Sequence, residues 1–264
     1  MRIGIIGCGN MGQALLSGII TKGYTKRRNI FCSDRDREKI SFLRTRLGVR
    51  VAGSNSEVVK KSDVIILAVK PQDLDAIVQG IAVPLEGKLL ISICAGITTK
   101  RLESCFGRVA VVRVMPNMPG QISQGISAVS LGRYATAKNK EIAASIFSCI
   151  GEVVKVKEEL MDAVTAISGS GPAYFFYLSE HLVKAAKKMG IPSNIARRLV
   201  IKTALGSAML MNQVKDDPQI LRKRVGSRGG TTEAAFKVFK KEGLDKILSS
   251  AFKAAAKRSR QLKQ

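Results

Sequence analysis

The sequence predicts an α/β fold: an N-terminal Rossmann-type doubly wound sheet followed by an all-α C-terminal domain. Three observations carry this. The opening run, Met1-Arg-Ile-Gly-Ile-Ile-Gly-Cys-Gly-Asn-Met-Gly-Gln13, passes from a β-branched strand through a glycine ladder into helical spacing. Short aliphatic runs then alternate with helical stretches as far as Val156, the signature of parallel strands joined by crossover helices. Beyond Glu158 to Asp162 one helical pattern follows another, so the expected division is 1–160 for the sheet domain and 161–264 for the helical one.

The ladder Gly7-Cys8-Gly9-Asn10-Met11-Gly12 has a physical reading. Gly7 takes a turn conformation that a Cβ obstructs, Gly9 leaves room for a pyrophosphate to approach the backbone, and Gly12 lets the helix lie close to the strand. Free N–H groups of the helix's first turn then face the phosphates, and the helix dipole adds to the attraction. A lone G-x-G-x-x-G is a weak signal. Here Ile3, Ile5 and Ile6 supply the strand before it, and Met11, Leu15, Gly18 and Ile19 supply a helical stripe after it. The same run could be mistaken for a secretory signal, but Asn10, Gln13 and four glycines interrupt it and no cleavage pattern follows.

Taking the remaining elements in order, Asn29 to Ser33 reads as the second strand, with Asp34 at its end. Its distance from the ladder suits the acidic residue that binds the adenosine ribose, while Arg35 and Arg37 could receive a 2′-phosphate. NADPH and NADH therefore both remain open, and Ser33 or Asp34 could instead cap a helix over 36–46. Val49 to Val51 is a third strand, and Ser54-Asn55-Ser56-Glu57 has the residue types of a helix cap. Asp63 to Val69 is a strand buried on both faces, ending at Lys70-Pro71 where proline starts a helix over 72–81. Further strands are expected over 88–93, leading into Cys94-Ala95-Gly96, and over 108–114, breaking at Met115-Pro-Asn117-Met-Pro-Gly120. Strands over 126–131 and 152–156 flank a helix over 136–149. The loops at the carboxyl ends, 7–12, 34–37, 70–71, 94–96 and 115–120, are where such a sheet binds ligands.

In the helical half, a helix over 162–189 carries a kink at Ser168-Gly-Ser-Gly-Pro172. Helices over 193–212, 218–225, 231–241 and 244–262 follow. Ala173-Tyr-Phe-Phe-Tyr-Leu178 and Thr203 to Met211 are apolar nearly all round, which a small domain cannot bury alone, so a subunit interface is expected.

Composition narrows the function classes. The five cysteines are odd in number and form no C-x-x-C, which suits a reducing cytoplasm, and a single histidine, His181, argues against a histidine metal site. No run after the first helix has membrane-spanning quality. The net charge of +24 suggests attraction of anions, but the basic residues are scattered and no nucleic-acid signature accompanies them, so a nucleic-acid partner is not expected.

Gly226-Ser-Arg-Gly229-Gly230-Thr231-Thr232 stands just before a helix, where backbone N–H groups and hydroxyls make an anion site or, more simply, a capped turn. This motif completes an ordered set with Gly7-Cys-Gly-Asn-Met-Gly12, Ala68-Val69-Lys70-Pro71, Arg113-Val-Met-Pro-Asn117 and Ser168-Gly-Ser-Gly-Pro-Ala-Tyr174. Together they resemble the pyrroline-5-carboxylate reductases over essentially the whole chain. The resemblance departs at Arg228, where the family usually has proline, and at Met118, where it commonly has threonine.

The resemblance implies reduction of 1-pyrroline-5-carboxylate to L-proline, the last step of proline biosynthesis. It implies Gly229, Gly230, Thr231 and Thr232 as the substrate carboxylate site, with the Thr232 hydroxyl toward the ring nitrogen as the catalytic contact. Gly7 to Gly12, Asp34, Arg35, Asn55, Ala68, Val69, Lys70, Pro71, Cys94, Ala95, Met115 and Asn117 would line the cofactor, expected to be NADPH with NADH left open. It also implies a cytoplasmic homo-oligomer: a dimer through the helical domain, with a larger ring such as a decamer left open. Two other readings compete. A reductase of the β-hydroxyacid dehydrogenase type would need a catalytic lysine, for which Lys184, Lys187 and Lys188 are available, and a non-enzymatic nucleotide-binding protein would need none.

Overall fold

A computed structural model describes residues 1–262, the Arg37 side chain excepted. Its eight strands form one sheet in the order β3-β2-β1-β4-β5-β6-β7-β8. The strands are β1 (Ile3–Ile6), β2 (Ile30–Ser33), β3 (Arg50–Val51), β4 (Val64–Leu67), β5 (Leu89–Ser92), β6 (Ala110–Met115), β7 (Gly125–Leu131) and β8 (Gly151–Lys155). From β3 through β6 every pairing is parallel, so these carboxyl ends share one edge of the sheet. The β6–β7 pair is antiparallel because residues 116–124 hold a short 3-10 turn and no crossover helix. β8 returns parallel to β7.

The connecting helices are α1 (Asn10–Thr21), α2 (Arg37–Phe42), α3 (Asn55–Lys61), α4 (Leu74–Gln79), α5 (Thr99–Phe106) and α6 (Ala137–Phe147). Alternate strand residues divide between two cores, as period-2 geometry requires of a sheet covered on both faces. Ile3, Ile5, Val64, Ile66, Leu89 and Ile91 join Leu15 and Leu16 of α1 and Ile146 and Phe147 of α6 on one side. Ile6, Ile65, Leu67 and Leu90 join Val58 and Val59 of α3, Leu74 of α4 and Leu102 of α5 on the other.

Two elements differ from the sequence reading. Helix α5, capped by the Thr98 hydroxyl accepting the Arg101 N–H, occupies a stretch where no helix was expected. The helix expected over 36–46 stops at Phe42 and continues as a wide π-type turn, Leu43–Leu47, closed by left-handed Gly48.

The remaining helices are α7 (Met161–Val164), α8 (Gly171–Lys188), α9 (Ser193–Val214), α10 (Pro218–Val225), α11 (Thr231–Lys241) and α12 (Leu244–Gln261). Between α7 and α8 the expected kink is a π-type turn, Thr165–Gly169. The chain divides into two compact units, Met1–Pro172 with the segment beginning at Ala254, and Ala173–Lys253. The division departs from the expected boundary at 160: α7 and the second half of α12 belong with the sheet. Covalent order alone could not show that, because the helical run is continuous in sequence.

The 173–253 unit has almost no interior. Ala186 and Ala196 are its buried residues, whereas Phe175, Tyr177 and Met209 are 68%, 65% and 63% exposed. An apolar surface of this extent is the mark of a protein–protein interface.

Candidate functional site

The nucleotide cradle is built where β1 ends. Gly7 has φ +90°, and a Cβ there would stand 2.7 Å from the Ala68 carbonyl oxygen. At Gly12 a Cβ would meet the Gly7 carbonyl oxygen at 2.5 Å, so α1 can lie against β1 only with glycine there. Around an added Gly9 Cβ there is nothing within 4 Å. Gly7 and Gly12 are thus held to glycine by the backbone around them, while the space above Gly9 is open.

That space belongs to a cleft of about 710 Å³ at the carboxyl edge of the sheet. Of the residues nominated from sequence, Gly7, Gly9, Asp34, Arg35, Asn55, Ala68, Val69 and Lys70 line it. Asp34 does not cap α2; Asp36 does, accepting the N–H groups of Glu38 and Lys39. Asp34 instead ties the glycine loop, its Oδ2 accepting the Cys8 N–H at 2.6 Å and its Oδ1 the Asp36 N–H at 2.9 Å. Ser33 donates to Asn55 Oδ1 at 2.7 Å, joining the ends of β2 and α3 across the cleft floor.

Lys39 and Arg44 also line the cleft, beside Arg35, and the sequence reading missed them. The available signal was a set of cations on the helical stretch just after the acidic residue. Arg35 is largely open and reaches Asp73 at 3.3 Å. The Arg37 side chain lies outside the described residues.

Cys8 and Cys94 are fully buried and take no part through their thiols. Burial pushes the Cys94 thiol up, and Cys32 is raised by its hydrogen bond with Cys8 and then by burial. Any contribution of Cys8 and Cys94 to a ligand comes from their backbone. Cys94, Ala95 and Asn117 follow β5 and β6, and Met115 ends β6, on the same edge of the sheet, outside the cleft lining. Asn117 accepts the Ile126 N–H at 2.9 Å and donates to Ser168 Oγ at 3.3 Å, which pins the 115–117 loop to the π-type turn. Among the described residues no cluster of His, Cys, Asp and Glu could hold a metal ion.

The 226–232 turn precedes α11 and borders a second, smaller cavity of about 330 Å³ that includes Ser227, Arg228, Thr232, Arg222, Lys223 and Lys240 in its wall. Gly230 caps α11 through its backbone alone. The Gly229 N–H is taken by Glu233 Oε2 at 2.7 Å and the Gly230 N–H by the Ser227 carbonyl at 3.0 Å. Of the amides expected to face a carboxylate, that of Gly230 is thus engaged within the turn. Helix geometry leaves the donors of the first turn, from Thr231 on, without an intrahelical acceptor. The Gly229 amide, with Lys237 at 3.1 Å, holds the Glu233 carboxyl below the usual carboxylate range.

Comparison with known proteins decides the family. The chain is 39% identical to the pyrroline-5-carboxylate reductase of Pseudomonas aeruginosa over 264 residues, covering 99% of this chain and 96% of the relative. The chain belongs to the pyrroline-5-carboxylate reductase family. It is 36% identical to the Arabidopsis thaliana reductase, covering 100% of this chain and 96% of that one. A solved structure of the Plasmodium falciparum pyrroline carboxylate reductase with NADP bound superposes with a TM-score of 0.91 at 29% identity, covering 100% and 98% of the two chains. The family model described as pyrroline-5-carboxylate reductase dimerisation matches residues 158–262, and that described as NADP oxidoreductase coenzyme F420-dependent matches residues 2–96. The fold class expected from sequence is that of this reductase family. No helix among the described residues is long and apolar enough to cross a membrane.

Proposed function

We propose that the protein reduces 1-pyrroline-5-carboxylate to L-proline with NADPH, completing proline biosynthesis as a cytoplasmic homo-oligomer. The observation that carries this is the glycine cradle, open above Gly9, in a chain alike from end to end to reductases of that name. Bound NADPH supplies a hydride to the C=N carbon of the protonated imine. The chain's own part is to hold two molecules in register and to neutralise a carboxylate, which lowers the entropic barrier without a histidine acid.

In this reading the amides of the 7–12 loop and the start of α1 bind the pyrophosphate. Asn55, Lys70 and Pro71, with the backbone at Cys94, Ala95, Met115 and Asn117, line the rest of the cofactor. The Thr231 and Thr232 amides hold the substrate carboxylate, and the Thr232 hydroxyl faces the ring nitrogen. Gly229 and Gly230 shape that turn rather than donate: Gly229 has φ +72°, and a Cβ on Gly230 would collide with Ser227 Oγ.

The preference for NADPH rests on charge. Asp34 spends an oxygen on each of two backbone amides, while Arg35, Lys39 and Arg44 present cations to the same cleft. The free cysteines accord with a reducing compartment. The oligomer we propose is a dimer built on α8 and α9, and sedimentation distinguishes it from a larger ring such as a decamer.

Oxidation of NADPH with pyrroline-5-carboxylate, beside a panel of 2-keto and 3-hydroxy acids, tests the reading. Turnover confined to the acids overturns it. A lower Michaelis constant for NADH than for NADPH overturns the cofactor preference alone.

A further inference from the structure

Two loops that line the proposed cofactor site, 94–99 after β5 and 115–117 after β6, are tied to one buried charge cluster. Arg113, two residues before Met115, is 1% exposed. Its Nη1 donates to Glu158 Oε1 at 2.9 Å, and its Nη2, which makes no hydrogen bond among the described residues, stands 3.9 Å from Asp162 Oδ1. Glu158 also accepts the Thr99 N–H at 3.3 Å and, through Oε2, the Ser130 hydroxyl at 2.9 Å. Asp162 Oδ1 accepts the Ser259 hydroxyl at 2.8 Å, an interaction that joins residues 97 apart in sequence.

The end of α12 closes this arrangement. Gly96 has φ +77°, and a Cβ there would stand 2.6 Å from Leu262 Cβ and 2.9 Å from the Ser259 carbonyl oxygen. The backbone of the 94–99 loop therefore lies directly against the last turn of α12. Met115 is held equally closely, since a Cβ on Gly169 would meet its Cε at 2.5 Å.

We propose that Arg113, Glu158, Asp162 and Ser259 are positioning residues that set the register of the 94–99 and 115–117 loops. They act through Gly96 and Met115, with the last turn of α12 as a strap across the sheet edge. This rests on the reductase reading of the same site. An ion cluster built on a buried arginine, with Glu158 half-buried at its edge, is a poor source of net stability, since the cost of desolvating its charges offsets their attraction. What an arginine shared between two carboxylates does supply is fixed geometry, and hydride transfer is sensitive to geometry. The cluster's hydrogen bonds run to Thr99, to Ser130 and within itself rather than to the glycine loop proposed to hold the pyrophosphate, so its loss separates affinity from turnover.

The experiment is Ser259→Ala, assayed well below its melting temperature. Turnover of pyrroline-5-carboxylate falls about tenfold while the dissociation constant for NADPH stays within about twofold, the signature of misplacement rather than lost binding. Ser259→Thr, which keeps the hydroxyl, restores turnover, and Glu158→Gln reproduces the split independently of α12. The emission of bound NADPH, which reports the surroundings of the nicotinamide, shifts in Ser259→Ala and returns in Ser259→Thr. Wild-type turnover in a folded Ser259→Ala protein overturns the proposal, as does an equal loss of NADPH affinity. If the wild type reduces no imine, the functional reading fails and the emission measurement alone decides this one, an unchanged spectrum overturning it.

Discussion

Replacing Gly9 by valine separates the cofactor site from the fold. The backbone at Gly9 has φ −68° and ψ −171°, a conformation open to any residue, and an added Cβ meets nothing within 4 Å. The free protein therefore still folds, losing no more than about 2 kcal/mol for a valine in place of glycine at the N-cap of α1. The valine side chain instead fills the volume a pyrophosphate needs. Each charge-assisted hydrogen bond lost from backbone amide to phosphate costs about 1.5–3 kcal/mol, so NADPH affinity falls roughly tenfold to a hundredfold for every contact displaced. Fluorescence titration with NADPH measures the affinity, and a thermal melt in the absence of nucleotide checks the fold. Wild-type affinity in the folded variant would refute the phosphate assignment.

Other perturbations probe neighbouring parts of the argument. Gly12→Ala puts its Cβ 2.5 Å from the Gly7 carbonyl oxygen, so it destabilises the protein by about 1–3 kcal/mol, read as a lowered melting temperature even without nucleotide. Thr232→Ala leaves the backbone donors of α11 intact; its turnover number falls about tenfold to a hundredfold, more than its Michaelis constant for the imine rises, in steady-state assays. Asp63 is held below the usual carboxylate range first by the Arg2 side chain and then by its backbone amide. Because the folded state lowers this pKa, the stability it contributes is present above about pH 4 and is lost as pH falls through its folded value. Denaturant unfolding of Asp63→Asn should thus show a deficit of up to about 1 kcal/mol at neutral pH that closes in acid.

The order of elements and the cradle were legible because their determinants are local. A β-branched run before Gly7 and an apolar stripe after it are features of neighbouring residues, and β1 and α1 stand where they place them. Helix α5 escaped notice because its apolar face is just Leu102 and Phe106, while its cap, Thr98, lies in a run that reads as loop. The reversal of β7 was invisible for another reason: strand direction follows from the length and path of the connection, which its own residues do not encode. Asp34 lines the cleft, and its bond to the Cys8 amide depends on tertiary proximity across 26 residues. The Arg113 cluster is further from reach still: Arg113 opens the Arg113-Val-Met-Pro-Asn117 motif, but the contacts that build the cluster span 45 and 97 residues, which no spacing motif encodes.

The discontinuity of the sheet-containing unit has a consequence for how the protein is made. A ribosome delivers the eight strands early, but Ser259 and Leu262, which cover Asp162 and Gly96, emerge only after the whole 173–253 segment. Until then Asp162 lacks its Ser259 partner and Gly96 lacks the cover of Leu262. A product truncated anywhere within 173–253 carries every strand and every glycine of the cradle but lacks the piece that closes the 94–99 loop. Completion of the sheet-containing unit is in this way contingent on translation of the helices between its two parts.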